Sequence, residues 1–346
     1  MDLEAASRGA GIPLRILVTR LRYLGDVILT TPALAALAKR YPAAEIHYLA
    51  EAPYVSVLEG NPHLSGVIPL RPGVRGSLEA VSAMRRLRFS AAIDLFYNPR
   101  SAALLFLSGI PVRVGGSRRI RRRLYTHVAN APPGTRSAAA HHVAFLRAVG
   151  VEDGEGLPRV YLAAAEIEGG RAEIDRALSG VAKGRVVAFH PGGTWPAKRW
   201  PPEGFGRLAA LLRAKLGASV VALAGPGEEG IARSAAAASD GALTPLPPMS
   251  VRRAASVLAA SDAVVANDGG IMHLAVALGR PTVAVFGPTE TDIWFPYEGK
   301  GPFAVMTHTP PCAPCHKHYC DSGECLKSIE PEEVLGKLGE VLAWKS

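Results

Sequence analysis

The stretch LRYLGDVILTTPALAAL, residues 21–37, follows a short β-branched run and holds one glycine, Gly25, with a carboxylate, Asp26, directly after it. A phosphate loop needs several glycines so that backbone amides can close on the ligand, and an anion there would repel it. Asp26 therefore does not belong to a phosphate cradle. Taken alone, the stretch makes it the cap of a helix beginning at Val27.

Three more loops carry residues of matching chemistry. In VVANDGGIMHLAVALGRPTVAVFGPTE, residues 264–290, a strand runs into Asn267 and Asp268, two glycines follow, and a helix begins near Ile271. Glycines let amides approach a ligand, and a helix N-terminus favours a phosphate. Asp268 is a helix-cap candidate, and His273 on the first turn is either a phosphate contact or a packing residue. HPGGTWPAKRWP, residues 190–201, presents Lys198 and Arg199 after another strand, as cations for a diphosphate or as solvated charges on a surface turn. LAGPGEE, residues 223–229, ends in Glu228 and Glu229. These carboxylates can accept from ribose or sugar hydroxyls, or form the acidic first turn of the next helix.

Charge and cysteines narrow the classes further. Lys and Arg outnumber Asp and Glu by 39 to 30, and six arginines fall in RVGGSRRIRRRLYTH, residues 113–127. Such a run is a solvated face or, since arginine suits bidentate phosphate recognition, a contact for an anionic ligand or membrane surface. Nucleic acid is not expected, because aromatic-rich RNA signatures, helix-turn-helix patterns and Cys2His2 fingers are all missing. The four cysteines, Cys312, Cys315, Cys320 and Cys325, share one segment, CAPCHKHYCDSGEC. That clustering speaks against a disulfide framework, and the spacing fits either a structural zinc or reduced thiols packed in a loop.

These loops need elements to hold them. At 346 residues with 48% hydrophobic and 20% charged residues, the chain is globular and long enough for two domains. LRILVTR, a helical DVILTTPALAALAKRYP and AEIHYLA form a strand, helix, strand unit, and the alternation continues through SGVIPL, SLEAVSAMRRLRF, AAIDLFYN, PRSAALLFLSG and IPVRVGG. A looser Gly- and Glu-containing region lies near residues 149–170, and a second cycle starts at RVVAFHPGG. The fold class is α/β, with two doubly wound parallel sheets and ligand loops at the carboxyl ends of the strands. The expected boundaries are 1–170, 171–330 including the cysteine loop 312–325, and a C-terminal helix over 331–346. No apolar run reaches the roughly 18 residues of a membrane span, and the N-terminus lacks the apolar core of a signal peptide, so a cytoplasmic protein is expected.

The blocks GDVILTTPAL, HPGGTWPAKRWP, LAGPGEE and NDGGIMHLAVALGRPTVAVFGPT, in this order within residues 14–326, resemble glycosyltransferase family nine, the lipopolysaccharide heptosyltransferases of the GT-B fold. The resemblance implies two Rossmann-like domains facing a cleft, with the acceptor on the N-terminal one and the nucleotide sugar on the C-terminal one. It implies inverting, metal-independent transfer of heptose from ADP-L-glycero-β-D-manno-heptose to the lipopolysaccharide inner core. Asp26 matches the family's catalytic base, and Lys198 would meet the departing diphosphate. Thr194, Glu228, Glu229, Asp268, Gly269, Gly270, Ile271 and His273 complete the implied donor side. Arg118, Arg119, Arg121, Arg122 and Arg123 would hold the anionic acceptor and attach the enzyme peripherally to the inner membrane. No catalytic cofactor is implied, and zinc at the four cysteines would be structural. Other outcomes are a relative using another nucleotide sugar or acceptor, or a membrane-surface binding protein of the same fold without turnover. A nicotinamide-dependent oxidoreductase fits poorly, since no G-x-G-x-x-G follows the first strand.

Overall fold

The structure is a computed structural model that describes residues 3–4, 13–117, 119–152, 154, 156–180 and 184–344, with backbone alone at 119 and 120. The chain divides into two compact units, Met1–Tyr161 and Leu162–Ser346.

The first unit runs β1 (Arg15–Thr19), α1 (Leu24–Ile28), α2 (Thr31–Arg40), β2 (Glu45–Glu51), β3 (Gly66–Leu70), α3 (Gly73–Leu87), β4 (Ala91–Asp94), α4 (Pro99–Ser108), β5 (Val112–Gly116), β6 (His127–Ala129) and α5 (Ala138–Phe145). Its six strands are parallel, in the order β3-β2-β1-β4-β5-β6. Ile16, Leu17 and Val18 of β1 are all buried, as a central parallel strand covered on both faces requires. Helix α3 turns Gly76, Ala80, Val81 and Met84 inward on one stripe. Helix α4 starts where the Asn98 side chain accepts the Ser101 amide at 2.7 Å, has Pro99 in its first turn, and stops at Gly109 with φ 75°.

The single helix expected from Val27 is two. The Thr30 and Thr31 hydroxyls donate to the carbonyls of Val27 and Ile28 at 2.7 and 2.8 Å, taking acceptors that a continuing helix would use, and Pro32 has no amide to give.

The second unit runs α6 (Ala164–Ala177), β7 (Val186–His190), α7 (Pro202–Leu216), β8 (Ser219–Ala222), α8 (Glu229–Ala237), β9 (Leu243–Pro245), α9 (Val251–Ala259), β10 (Ala263–Asn267), α10 (Gly270–Ala277), β11 (Thr282–Phe286), α11 (Thr291–Trp294), β12 (Phe303–Thr307), α12 (Glu324–Lys327) and α13 (Pro331–Leu342). The order β12-β11-β10-β7-β8-β9, again all parallel, repeats the winding of the first sheet.

The division falls at Tyr161, earlier than the expected residue 170, because α6 belongs wholly to the second unit. Arg252 of α9 grips Glu166 through two bonds of 2.7 and 2.8 Å, and Arg253 holds Glu173 at 2.7 Å. At Gly170 the helices approach so closely that a Cβ would lie 2.2 Å from the Ser256 carbonyl oxygen. Helix α13, expected as a separate terminal element, buries Val334, Leu338 and Val341 in the core of this unit.

In each sheet the strand order reverses once, between β1 and β4 and between β7 and β10. Loops leaving the carboxyl ends of those strands flank a crevice, which is where doubly wound sheets bind ligands.

Candidate active site

In the first unit, Asp26 occupies the third position of α1, which begins at Leu24, earlier than the Val27 read from sequence. Its Oδ2 accepts the Tyr23 amide at 3.0 Å, and its Oδ1 is ion-paired with Arg20 from the end of β1. Capping and catalysis are therefore not exclusive here. A carboxylate offers about four acceptor positions, and these two bonds leave lone pairs on a side chain that is 14% exposed.

Arg20 was not singled out from sequence, yet it fixes that carboxylate. It donates to the Leu95 carbonyl at 3.3 Å and lies 4.5 Å from the centre of the Phe96 ring. Leu95 and Phe96 belong to the loop after β4, so Arg20 ties the two sides of the reversal point together. Fully buried Asp94 shapes that loop. Its Oδ1 accepts the amides of Phe96 and Tyr97 at 3.0 and 2.8 Å, and its Oδ2 accepts the Tyr125 hydroxyl at 2.7 Å. Burial pushes the Asp94 carboxyl up, and these donors, Tyr125 foremost, oppose the shift. Buried His142 of α5 is kept neutral beside the Arg20 charge, its pKa far below the usual value through burial first and Arg20 second.

The arginine run is divided. Arg118 lies outside the described residues, as does the side chain of Arg119. Arg121 is half-buried and donates to the Tyr97 carbonyl at 3.3 Å, bracing the loop after β4. Arg122 and Arg123 are exposed. Among the described residues no helix is long and apolar enough to cross a membrane.

In the second unit, the loops after β7 and β10 meet through Asn267. Its side-chain oxygen accepts the Trp200 amide at 3.0 Å, while its nitrogen donates to the carbonyls of Pro191 and Gly192 at 2.9 and 3.0 Å. Beside it, Lys198 Nζ stands 2.6 Å from Asp268 Oδ2, with the side chains 15% and 4% exposed. The Thr289 hydroxyl donates to the same oxygen at 2.5 Å, and the Lys198 ammonium lies 4.6 Å from the centre of the Trp195 ring. Asp268 is thus a counter-ion before it is a cap: α10 has Gly269 as its N-cap residue, with no side-chain cap.

His273 is buried, with Nδ1 at 2.9 Å from the Tyr297 hydroxyl, so it packs under the first turn of α10. Gly270 and Ile271 open that helix, and Thr194 is exposed at the tip of the β7 loop. Gly193 before it adopts φ 147°, a region open to glycine.

Glu228 and Glu229, alternatives in sequence, differ in place. Glu229 opens α8 half-buried, in its acidic first turn. Glu228 reaches across to the β7 loop: Oε1 accepts the Gly193 amide at 2.8 Å, and Oε2 accepts the Gly225 amide at 2.9 Å and meets His190 Nε2 at 3.2 Å. Burial pushes its carboxyl up, but His190 and the two amides outweigh that and bring it down to about 2.

The four cysteines are free thiols, from exposed Cys312 to buried Cys325. Burial pushes the Cys325 thiol up, and neighbouring Cys315, Cys320 and Cys312 push it further; among the described residues no three His, Cys, Asp or Glu side chains are grouped to hold a metal ion.

Two doubly wound units, one with a cationic, glycine-lined reversal point and one with a pinned carboxylate, have counterparts among known proteins. The model of Glycosyltransferase family 9 (heptosyltransferase) matches residues 78–325. The chain belongs to glycosyltransferase family 9. It is a glycosyltransferase enzyme, 28% identical over 315 residues to lipopolysaccharide heptosyltransferase 2 of Escherichia coli K12, covering 83% of this chain and 86% of that one. It is 29% identical to lipopolysaccharide heptosyltransferase 1 of Pseudomonas aeruginosa, covering 89% and 87%. The solved E. coli ADP-heptose lipopolysaccharide heptosyltransferase II superposes with a TM-score of 0.80 at 24% identity over 95% of this chain and 98% of that one, which establishes the GT-B fold. The family match takes in Lys198, Glu228, Asp268 and the cysteines, whereas Asp26 precedes its first residue.

Proposed function

We propose that this family 9 enzyme transfers heptose from ADP-L-glycero-β-D-manno-heptose to the inner core of lipopolysaccharide, with inversion and without a catalytic metal. The observation that carries the proposal is the enclosed Lys198–Asp268 pair next to the Gly269–Gly270 start of α10, at the reversal point of the second sheet. An ammonium and free helix amides together can balance the charge that grows on a departing diphosphate, which is the task a metal performs in other transferases. The names of the relatives supply the sugar and the acceptor.

In this mechanism the donor diphosphate is met by Lys198, Gly270 and Ile271, and its nucleotide by the Glu228 loop. Asp26 accepts the proton of the acceptor hydroxyl as that oxygen attacks the anomeric carbon. The new bond forms on the face opposite the leaving group, in one displacement. Exposed Arg122 and Arg123 attract the acceptor's phosphates and an anionic membrane surface, which would hold the enzyme peripherally on the cytoplasmic leaflet.

The test supplies purified enzyme with ADP-heptose, other nucleotide sugars and a truncated inner-core acceptor, with and without chelator. ADP release that requires ADP-heptose and core, persists in chelator and yields an inverted anomer supports the proposal. Release with another nucleotide sugar in preference, or loss of turnover in chelator restored by a divalent ion, overturns the corresponding part.

A further inference from the structure

The cysteine-rich segment does more than fill a loop. His318 stacks on Trp195 with ring centres 3.8 Å apart and planes 25° from parallel, and the Lys198 ammonium lies 4.6 Å from the centre of the same indole. The His318 carbonyl accepts the Ala197 amide at 3.1 Å, pinning the short turn Pro196–Lys198. A few residues earlier, the amides of Cys315 and His316 both donate to the Pro288 carbonyl at 3.1 and 2.9 Å, and His316 Nε2 meets Glu290 at 3.0 Å. Between Pro288 and Glu290 lies Thr289, whose hydroxyl holds Asp268. Residues 315–318 therefore brace the segments that carry both members of the Lys198–Asp268 pair.

Lysine needs such a brace. Its ammonium is a point charge on a flexible stem, so its position is set by what its neighbours allow. Transition-state charge is balanced only by a group already in place, and small displacements of such a group cost rate rather than ground-state affinity.

We infer that His318 is a positioning residue for catalysis, acting through its stack on Trp195 to hold Lys198 where the leaving diphosphate develops charge. The inference rests on the role given to Lys198 above. It requires the aromatic face of residue 318, not its imidazole nitrogens.

The test measures steady-state ADP release for His318→Ala, His318→Phe, Trp195→Leu, the double variant Trp195→Leu/His318→Ala, and Lys198→Met. His318→Ala lowers kcat about three- to tenfold, the worth of one aromatic pair, with donor KM within about twofold of the parent and unchanged unfolding temperature. His318→Phe returns kcat to near the parent value, and the double variant is no slower than the worse single one. Lys198→Met falls about a hundredfold or more. If Lys198→Met is slow while His318→Ala matches the parent, or while His318→Phe is as slow as His318→Ala, the positioning role is wrong and the role of Lys198 stands. If Lys198→Met turns over normally, the role of Lys198 is wrong. Should His318→Ala fail to fold, Trp195→Leu tests the same stack from its other side, and a normal kcat there overturns the inference.

Discussion

Glu228 is the residue whose replacement has the most calculable effect. It joins the β7 and β8 loops through the amides of Gly193 and Gly225 and the ring of His190. Glu228→Gln keeps the shape and removes the charge. The folded carboxyl sits at about 2 against an ordinary 4.5, and a pH unit is worth about 1.4 kcal/mol. Ionised Glu228 therefore stabilises the second unit by no more than about 3–4 kcal/mol at neutral pH. Counting bonds gives a similar figure. A glutamine whose oxygen keeps Gly225 and His190 must turn its amide nitrogen toward the Gly193 N–H, and a buried donor left facing a donor costs about 1–3 kcal/mol. All four tryptophans, Trp195, Trp200, Trp294 and Trp344, lie in the second unit, so their fluorescence during urea unfolding follows that unit selectively. The expected gap between parent and variant is about 2–3 kcal/mol at pH 7. The sign of its pH dependence follows from a folded pKa below the unfolded one. The stabilisation is complete above the ordinary 4.5 and disappears as pH falls toward about 2. A gap that is absent at pH 7, or that stays constant down to pH 2, would refute the reasoning.

Asp26→Asn retains an oxygen for the Tyr23 amide, so it should fold and bind ADP as the parent does while turnover drops about a hundredfold or more; turnover within a few-fold of the parent rejects Asp26 as the base. Arg122→Glu with Arg123→Glu should weaken sedimentation with anionic liposomes, and parental binding should itself fall as salt rises from about 0.05 to 0.3 M, because exposed charges are screened over about a Debye length. Salt-insensitive sedimentation contradicts an electrostatic attachment. Metal analysis of purified protein without chelator decides between the two readings of the cysteines: about one zinc per chain, lost in the Cys312→Ser/Cys315→Ser variant, shows that the thiols gather around an ion, and well under one equivalent in both shows reduced thiols packed in a loop.

The parts of the fold that were legible from sequence are those where one pattern answers to one force. Central strands such as RILVT, VVAFH and AVVAN are continuous apolar runs because both faces are covered, and every one is recovered as a strand. The short edge strands His127–Ala129 and Leu243–Pro245 escaped notice, since a three-residue strand with a single neighbour carries no periodicity to detect. Helix α6 was hidden for another reason. Its stripe is weak, with Gly170 and Ile174 as its buried residues, and much of its adhesion comes from ion pairs to Arg252 and Arg253 that sequence spacing does not reveal. At the candidate site, the proposed reacting groups stood out because strand ends followed by glycines are conspicuous. Their supports did not. Arg20, Asp94, Thr289 and His318 act across distances of 6 to 123 residues along the chain, on Asp26, Tyr125, Asp268 and Trp195; even Asp268 and Thr289, which share the block 264–290, are paired by the fold and not by any spacing in the sequence.

The two units share one winding and each holds an ion pair at its reversal point, so in the proposed mechanism topology sets where the ligand binds and the pinning of each pair sets what is done to it. Left idle, each pair is close to neutral, which avoids an uncompensated charge in a poorly solvated place. The member able to act is the one with hydrogen-bonding capacity to spare. In the first unit Arg20 is further engaged by the Leu95 carbonyl and the Phe96 ring, while Asp26 keeps open lone pairs. An anion able to take a proton is what remains. In the second unit each member has one further tie, Asp268 to the Thr289 hydroxyl and Lys198 to the Trp195 ring. Asp268 Oδ2 already meets two partners, whereas Lys198 has one carboxylate oxygen against its three donors and can offer N–H groups to a diphosphate without leaving its place beside the indole.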